Sequence, residues 1–88
     1  MTNEKIKKAE LEAIYDSKQS FYEKAKVELE GNRIVLYSYG SYVAYIENDI
    51  AYITGDYTQT TFRHIKEFLL QNGFEAVSKK QMMEDYAV

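Results

Sequence analysis

A tyrosine-rich, charge-poor segment in the middle of the chain most constrains its fold. The segment reads YSYGSYVAYIENDIAYITGDY and contains six of the nine tyrosines, between Tyr37 and Tyr57. From residue 31 to residue 55 the charged side chains are limited to Arg33, Glu47 and Asp49. Tyrosine and β-branched residues favour strands, and tyrosine joins a large apolar ring to a polar tip that suits binding surfaces. Such a segment has to form a sheet that is buried, covered by other elements, or used for contact.

The composition limits the classes of protein to which the chain can belong. At 88 residues we expect a single domain, residues 1–88, and the lack of cysteine excludes disulfides and thiolate metal sites. Neither a transmembrane-length apolar run nor a signal-peptide core is present, which predicts a cytoplasmic protein with no membrane partner. Eleven basic and fourteen acidic residues give a net charge of −3, which argues against affinity gained by phosphate neutralisation.

The first 26 residues are predicted to form an N-terminal helix. Their apolar residues recur at three- and four-residue spacing, while lysines and acids alternate as on a solvated helix face. Asn3 is a suitable N-cap. A break into two helices near residues 16–19 is an alternative, because Asp16 is a cap-forming residue and Ser20 with Glu23 fits a capping box.

Residues 27–54 are predicted to form a four-stranded antiparallel meander. Three pairs of turn-forming residues divide the segment: Gly31 with Asn32, Gly40 with Ser41, and Asn48 with Asp49. The expected fold class is therefore α+β, with an N-terminal helix, the meander, a second helix and a short C-terminal strand or turn.

If each turn is a two-residue loop, the turns also fix which side chains share a face of the sheet. One face then carries Val27, Leu29, Ile34, Leu36, Val43, Tyr45, Ile50 and Tyr52. The other carries Lys26, Glu28, Val35, Tyr37, Tyr39, Tyr42, Ala44, Ile46, Ala51 and Ile53. Two helices on opposite faces would bury the tyrosines, whereas two helices on one face would leave the Tyr37, Tyr39 and Tyr42 side open as an interface.

The second helix is predicted over residues 56–72. Asp56 or Thr58 can cap its start, and Asn72 with Gly73 can close it in the left-handed conformation. Residues 73–88 are expected to form a short strand at Phe74–Val77, a turn capped by Ser78 with Gln81, and a frayed tail from Tyr86.

Several short motifs of the central and following segments resemble a known group of proteins. They are Leu36-Tyr37-Ser38-Tyr39, Ala44-Tyr45-Ile46, Asp56-Tyr57-Thr58-Gln59-Thr60-Thr61-Phe62-Arg63-His64 and Phe68-Leu69. Together, over residues 34–72, they resemble a family of small uncharacterised proteins of phages and mobile elements of Gram-positive bacteria. The resemblance implies an origin in such an element and action inside a bacterial host cell. Its most concrete implication is an inhibitor of a bacterial defence system, of the anti-CRISPR type.

The start of the second helix carries the polar side chains that are the best candidates for catalysis or ligand binding. His64 lacks the nucleophile, carboxylate or further ligands that catalysis or metal binding needs, so we expect a helix-surface histidine, no enzyme and no cofactor. Thr60, Arg63, His64 and Lys66 could bind an anion at the helix N-terminus. Capping by the threonines is favoured over that interpretation.

Tyr37, Tyr39 and Tyr42 are the candidate binding residues of the sheet. They can be structural, they can contact a host protein as aromatic anchors, or they can stack on single-stranded nucleic acid. The low positive charge of the segment favours a protein partner over nucleic acid, and a homodimer is a further alternative. We therefore predict a small non-enzymatic binding protein.

Overall fold

Five antiparallel strands in sequence order are followed by two helices in the computed structural model, which describes residues 9–18 and 20–88. The predicted α+β class is confirmed. The elements are β1 (Ala9–Glu10), β2 (Ala25–Glu30), β3 (Arg33–Ser38), β4 (Ser41–Glu47), β5 (Ile50–Ile53), α1 (Gln59–Gln71) and α2 (Lys79–Tyr86).

The predicted N-terminal helix is wrong for the residues that the structure describes. Residues 9–10 form β1, which adds a fifth strand beside β2, and residues 11–18 and 20–24 lie in a loop. Leu11 and Phe21 still reach the hydrophobic core, as the apolar pattern suggested. The part of the prediction on residues 1–8, with its cap at Asn3, lies outside the described residues.

Local side-chain hydrogen bonds explain why the loop is neither one helix nor two. Asp16 accepts from the backbone N–H of Lys18 at 3.0 Å, and Ser20 accepts from that of Tyr22 at 2.8 Å. Both bonds span two residues, as in turns that compete with helix formation. The cap-forming residues were recognised in the sequence, but here they close turns instead of starting helices.

The β3–β4 hairpin differs from the prediction in its turn and in its register. Ser38 lies opposite Ser41, so the loop is Tyr39 and Gly40, with φ of 51° and 82°. Positive φ at both positions matches the right-handed twist of a hairpin. An extra residue in β4, Val43, then shifts the register, because Leu36 pairs with Ala44 but Tyr37 pairs with Tyr42.

This register corrects the predicted faces. Tyr45 and Tyr52 do not lie with Leu36, since Tyr45 is opposite both Val35 and Tyr52. The apolar residues that were assigned to the tyrosine side instead share the Leu36 face and its core. They are Ala44, Ile46, Ala51 and Ile53.

Both helices add their buried side chains to the core on that one face. Helix α1 contributes Phe62, Ile65, Phe68 and Leu69, and α2 contributes Met82. The core therefore lies between the Leu36 face of the sheet and the two helices, a two-layer arrangement that leaves the opposite face to the tyrosines.

The second predicted helix is present as α1, with the cap that its sequence indicated. Thr58 accepts from the N–H of Thr61 at 3.3 Å, and Gly73 follows the helix with φ of 85°. The strand predicted at Phe74–Val77 is absent, and Ser78 caps the two-turn helix α2 instead of a single turn.

The C-terminal residues are attached to the sheet, so the predicted frayed tail is wrong. Ala87 forms a parallel bridge with Ile53, and the N–H of Val88 donates to the Ile53 carbonyl at 3.1 Å. Among the residues described, neither helix has the length and apolar content needed to cross a membrane.

Candidate functional site

Four tyrosine rings form a connected layer on the side of the sheet away from the helices. We call Tyr37, Tyr42, Tyr45 and Tyr52 the tyrosine face. Tyr37 and Tyr42 meet edge to face at 5.7 Å between ring centroids, and Tyr42 and Tyr45 do so at 5.9 Å. Tyr45 and Tyr52, directly opposite across β4 and β5, stack at 4.7 Å. All four rings are half-buried, a state that suits both packing and contact.

The rings have a structural role as well. Val35, on the same face, is 0% exposed although it lies opposite the core. Because Tyr45 is its direct cross-strand neighbour, the ring layer shields this valine from water. Ile50 is exposed on the same face as Tyr52, two residues away along β5, and extends the apolar area toward the β4–β5 turn. The face thus combines a small packed layer with exposed apolar edges.

Arg33 is the basic residue most closely associated with the rings. Its Nε donates to Glu47 at 3.1 Å and its Nη1 to the Tyr42 hydroxyl at 3.0 Å, while its guanidinium lies 4.3 Å from the centre of the Tyr45 ring. The hydrogen bond to Tyr42 raises the pKa of Arg33. Its positive charge is therefore engaged within the face by a carboxylate and an aromatic ring.

Acidic side chains border the tyrosine face along β2. The hydroxyl of Tyr37 donates to Glu30 at 2.7 Å, and this hydrogen bond is the main cause that raises the pKa of Tyr37 to about 12. Glu28 lies on the same face, opposite Val35. Counting Lys26 and Arg33 against Glu28, Glu30 and Glu47, the charges of this face sum to −1.

The predicted site residues separate into two places. Tyr37 and Tyr42 belong to the tyrosine face, whereas Tyr39 sits in the β3–β4 turn with its ring 5.6 Å from His64. Tyr39 joins other predicted residues around one cavity of about 160 Å³, which we call the cationic cavity. Its chemically important lining residues are Lys18, Lys24, Tyr39, Thr60, Arg63 and His64. Lys66 belongs to neither place, since its Nζ lies 3.5 Å from the carbonyl of Val77.

His64 is buried, at 3% exposure, so the predicted helix-surface histidine is wrong. Its Nδ1 is 2.8 Å from the hydroxyl of Ser38, which is 3.1 Å from the hydroxyl of Thr61. The Phe21 ring packs edge-on at 4.6 Å. Burial lowers the pKa of His64, so the imidazole is neutral near neutral pH. Ser38 is only 2% exposed and does not line the cavity, so its hydroxyl is not accessible to a substrate.

Glu67 anchors the first loop, a role that sequence reasoning missed. Its carboxylate accepts from the backbone N–H groups of Ile14, Tyr15 and Asp16 at 2.8–3.0 Å, although the residue is 1% exposed. One helix turn earlier, Arg63 forms two hydrogen bonds with Asp16 and lowers its pKa. These contacts span about fifty residues of sequence, so local spacing gave no signal for them.

The neighbouring acids and His64 do not form a metal site. Within residues 9–18 and 20–88, no group of three or more His, Asp or Glu side chains is arranged to hold a metal ion. Among the described residues, hydrogen bonds and the ion pair between Arg63 and Asp16 hold the first loop in place.

Comparison with known proteins gives one result. The profile of a family described as a family of unknown function (DUF8033) matches residues 9–84. No curated protein and no solved structure matches the chain. The match covers nearly all of the described fold, from β1 into α2, and its description names no activity, source or partner.

Proposed function

Because the chain belongs to DUF8033, a family of unknown function, we propose its function from its own surface. It is a small non-enzymatic binding protein that contacts a basic surface of a host protein through the tyrosine face. The supporting observation is the layer of four touching rings on the side of the sheet opposite both helices. Tyrosine and arginine are the residues most enriched among those that dominate protein–protein binding energy.

The charges around the rings favour a protein partner over nucleic acid. A surface that binds single strands pairs its aromatic platforms with a basic groove. Here Glu28, Glu30 and Glu47 outnumber the basic side chains, and Arg33 is already bonded to Glu47. A phosphate backbone would meet three carboxylates against two basic side chains, Lys26 and the already paired Arg33.

The same charges point to a partner that presents arginine or lysine. Arginine stacks on tyrosine rings and pairs with carboxylates, and Arg33 already makes both contacts within the face. A guanidinium from a partner would find the Tyr45 and Tyr52 rings close to Glu47 across the β4–β5 hairpin. Proteins that bind nucleic acid carry basic surfaces of this kind.

The origin of the protein and its cellular role belong to the same proposal. The resemblance of residues 34–72 to phage and mobile-element proteins supports action within a bacterial cell. An inhibitor of the anti-CRISPR type is the most concrete version of this proposal. Its partner would be a CRISPR effector, a protein that exposes a basic surface of the kind that suits the tyrosine face. Neither the origin nor this role rests on any single residue of the chain.

The test is a double substitution, Tyr45→Thr with Tyr52→Thr. Threonine keeps strand propensity while removing the stacked pair. Tyr15→Thr is the matched control, because Tyr15 is exposed on the first loop and far from the sheet face. A photo-crosslinking amino acid at position 52 identifies the partner from a bacterial lysate, and binding is then measured with purified components.

We expect the double variant to keep the native circular dichroism spectrum and to bind the identified partner at least about tenfold more weakly, with the Tyr15→Thr variant unchanged. Equal binding by all three proteins would reject the tyrosine face as the contact surface.

A second candidate function is supported by the layout of the sheet. Antiparallel sheets with aromatic rings on an open face also bind single-stranded RNA by stacking. A salt titration with single-stranded DNA and RNA separates the two functions. Binding that weakens steeply with salt, and that the Tyr45→Thr and Tyr52→Thr changes abolish, would favour an accessory nucleic-acid-binding role.

A further inference from the structure

The cationic cavity lies between the first loop, the β3–β4 turn and the first turns of α1. Lys18, Lys24 and Arg63 line it, and none of the described lining residues is acidic. Arg63 is paired with Asp16, whereas neither lysine forms a salt bridge with a described residue. The cavity therefore carries an excess of positive charge at its rim, in a protein whose net charge is −3. Such a local excess attracts an anion.

A buried polar side chain lines the same cavity. His64 lines the cavity at 3% exposure, and its Nδ1 is taken by Ser38. Its Nε2 has no hydrogen-bond partner among residues 9–18 and 20–88. Buried polar groups are almost always hydrogen-bonded, so this nitrogen can accommodate a partner that the described residues do not supply. When Ser38 donates to Nδ1, Nε2 carries the proton and can donate to an anionic oxygen.

An aromatic surface stands at the cavity entrance. The Tyr39 ring is 56% exposed, and its backbone adopts φ of 51°, a left-handed conformation that is unfavourable for tyrosine. Its N–H donates to the carbonyl of Lys24 at 2.7 Å, which fixes the turn beside one of the cavity lysines. The exposed ring face can stack on a flat group of a ligand held in the cavity.

We propose that the cationic cavity binds a small phosphomonoester that carries a flat ring, such as a nucleoside monophosphate. The phosphate lies among Lys18, Lys24 and His64, with the Thr60 hydroxyl as a further donor, and the ring stacks on Tyr39. A cavity of about 160 Å³ admits the phosphate and part of a sugar but not a nucleic-acid strand. This site lies on the helix side of the sheet and is independent of the tyrosine face.

The experiment is an NMR titration of the full chain with adenosine monophosphate, inorganic phosphate and adenosine, following the His64 ring signals. His64 is the single histidine, so its ring signals are unambiguous. The variants are Lys18→Gln with Lys24→Gln, and Tyr39→Asn, because asparagine tolerates the left-handed backbone while removing the ring. Lys80→Gln, an exposed lysine on α2, is the matched charge control.

Adenosine monophosphate should bind and shift the His64 signals, adenosine should not, and each cavity variant should weaken binding about tenfold or more. Lys80→Gln should leave the affinity unchanged. Adenosine monophosphate binding that is unchanged by Tyr39→Asn would overturn the stacking part of the proposal. Adenosine binding as tight as that of the monophosphate, or no binding of any probe, would overturn the site itself.

Discussion

The β-meander, residues 25–53, and the loop before it, residues 11–18 and 20–24, reach the same hydrophobic core by different means. Each strand of the meander pairs with its neighbour in sequence through short turns, so its contacts are local. The loop is held by side chains of α1 that lie about fifty residues away or more: Glu67 and Gln71, which bind its backbone, and Arg63, which binds Asp16.

The difference shows where the stability of each region resides. The structure of a hairpin with alternating apolar residues and favourable turn residues is determined by its own local sequence. The structure of the loop depends instead on a helix that follows it in the chain. A buried carboxylate that accepts from several N–H groups makes the loop sensitive to one substitution, because removing the carboxylate leaves those donors unpaired. We therefore expect the loop to open separately from the meander, as a unit of lower stability.

Glu67→Gln tests this separation and should have the largest effect. The amide keeps one acceptor oxygen but turns a donor toward the N–H groups of Ile14, Tyr15 and Asp16. We expect the loop to lose roughly 2–3 kcal/mol of stabilisation, equivalent to about a hundredfold faster amide exchange at these three residues. Hydrogen exchange followed residue by residue by NMR measures it.

The control for this change is Glu84→Gln, an exposed acid on α2 that should leave every exchange rate unchanged. The strand amides of β3 and β4 should remain protected in Glu67→Gln. If those amides lose as much protection as the loop amides, the two regions open together and the distinction between them fails.

The junction between the two regions responds to pH through His64. It lies between Phe21 of the loop and Ser38 of β3, and burial lowers its pKa below the ordinary value of 6.5. As the pH falls through 6.5, the unfolded chain takes up a proton that the folded chain excludes. The free energy of unfolding should therefore fall by up to about 1.4 kcal/mol per pH unit, until the folded pKa is reached, and stay level above 6.5.

The matched variant is His64→Gln, which keeps a polar side chain without a titrating group in this range. Urea unfolding of both proteins at several pH values gives the difference directly, because the contributions of the carboxylates cancel. A wild-type protein whose unfolding free energy parallels that of His64→Gln between pH 7 and the onset of carboxylate titration would contradict a buried, neutral imidazole.

The sequence predicted the parts of the molecule that local rules govern. Gly31 and Asn48 mark turns that lie where expected, and Thr58 starts α1 as its spacing indicated. The β3–β4 turn was misplaced by one residue, because a left-handed Tyr39 is contrary to the usual preference for glycine. The extra residue at Val43, which no pattern in the sequence signals, moved Tyr45 and Tyr52 to the other face.

The remainder depended on contacts that local patterns do not encode. The apolar spacing of residues 9–25 fits a helix, but tertiary hydrogen bonds to Glu67 favour the extended loop over intrahelical pairing. His64 looked solvent-exposed because only the tertiary fold brings Ser38 and Phe21 against it. The candidate site was therefore recognised by residue type, while its division into a tyrosine face and a cationic cavity needed the fold.

Two pairs of left-handed residues that lack glycine, one pair in each region, allow the stabilities of the two regions to be compared with the smallest expected effect. Asn48 and Asp49 form the β4–β5 turn with φ of 55° and 64°, and Tyr22 and Glu23 in the loop have φ of 53° and 65°. Glycine at the second position relieves the strain of a left-handed residue but adds entropy to the unfolded chain, so a net gain of about 0.5 kcal/mol is expected.

Asp49→Gly should add this gain to global stability, since the turn closes a hairpin of the cooperative meander, and asparagine–glycine is the preferred pair there. Glu23→Gly should leave the global unfolding midpoint unchanged and slow only the exchange of loop amides, because the loop opens below the global transition. Chemical denaturation of both variants measures the global midpoint, and hydrogen exchange measures the opening of the loop. A shift of the global midpoint by Glu23→Gly equal to that from Asp49→Gly would mean that the loop, despite its distant anchors, folds as part of the meander.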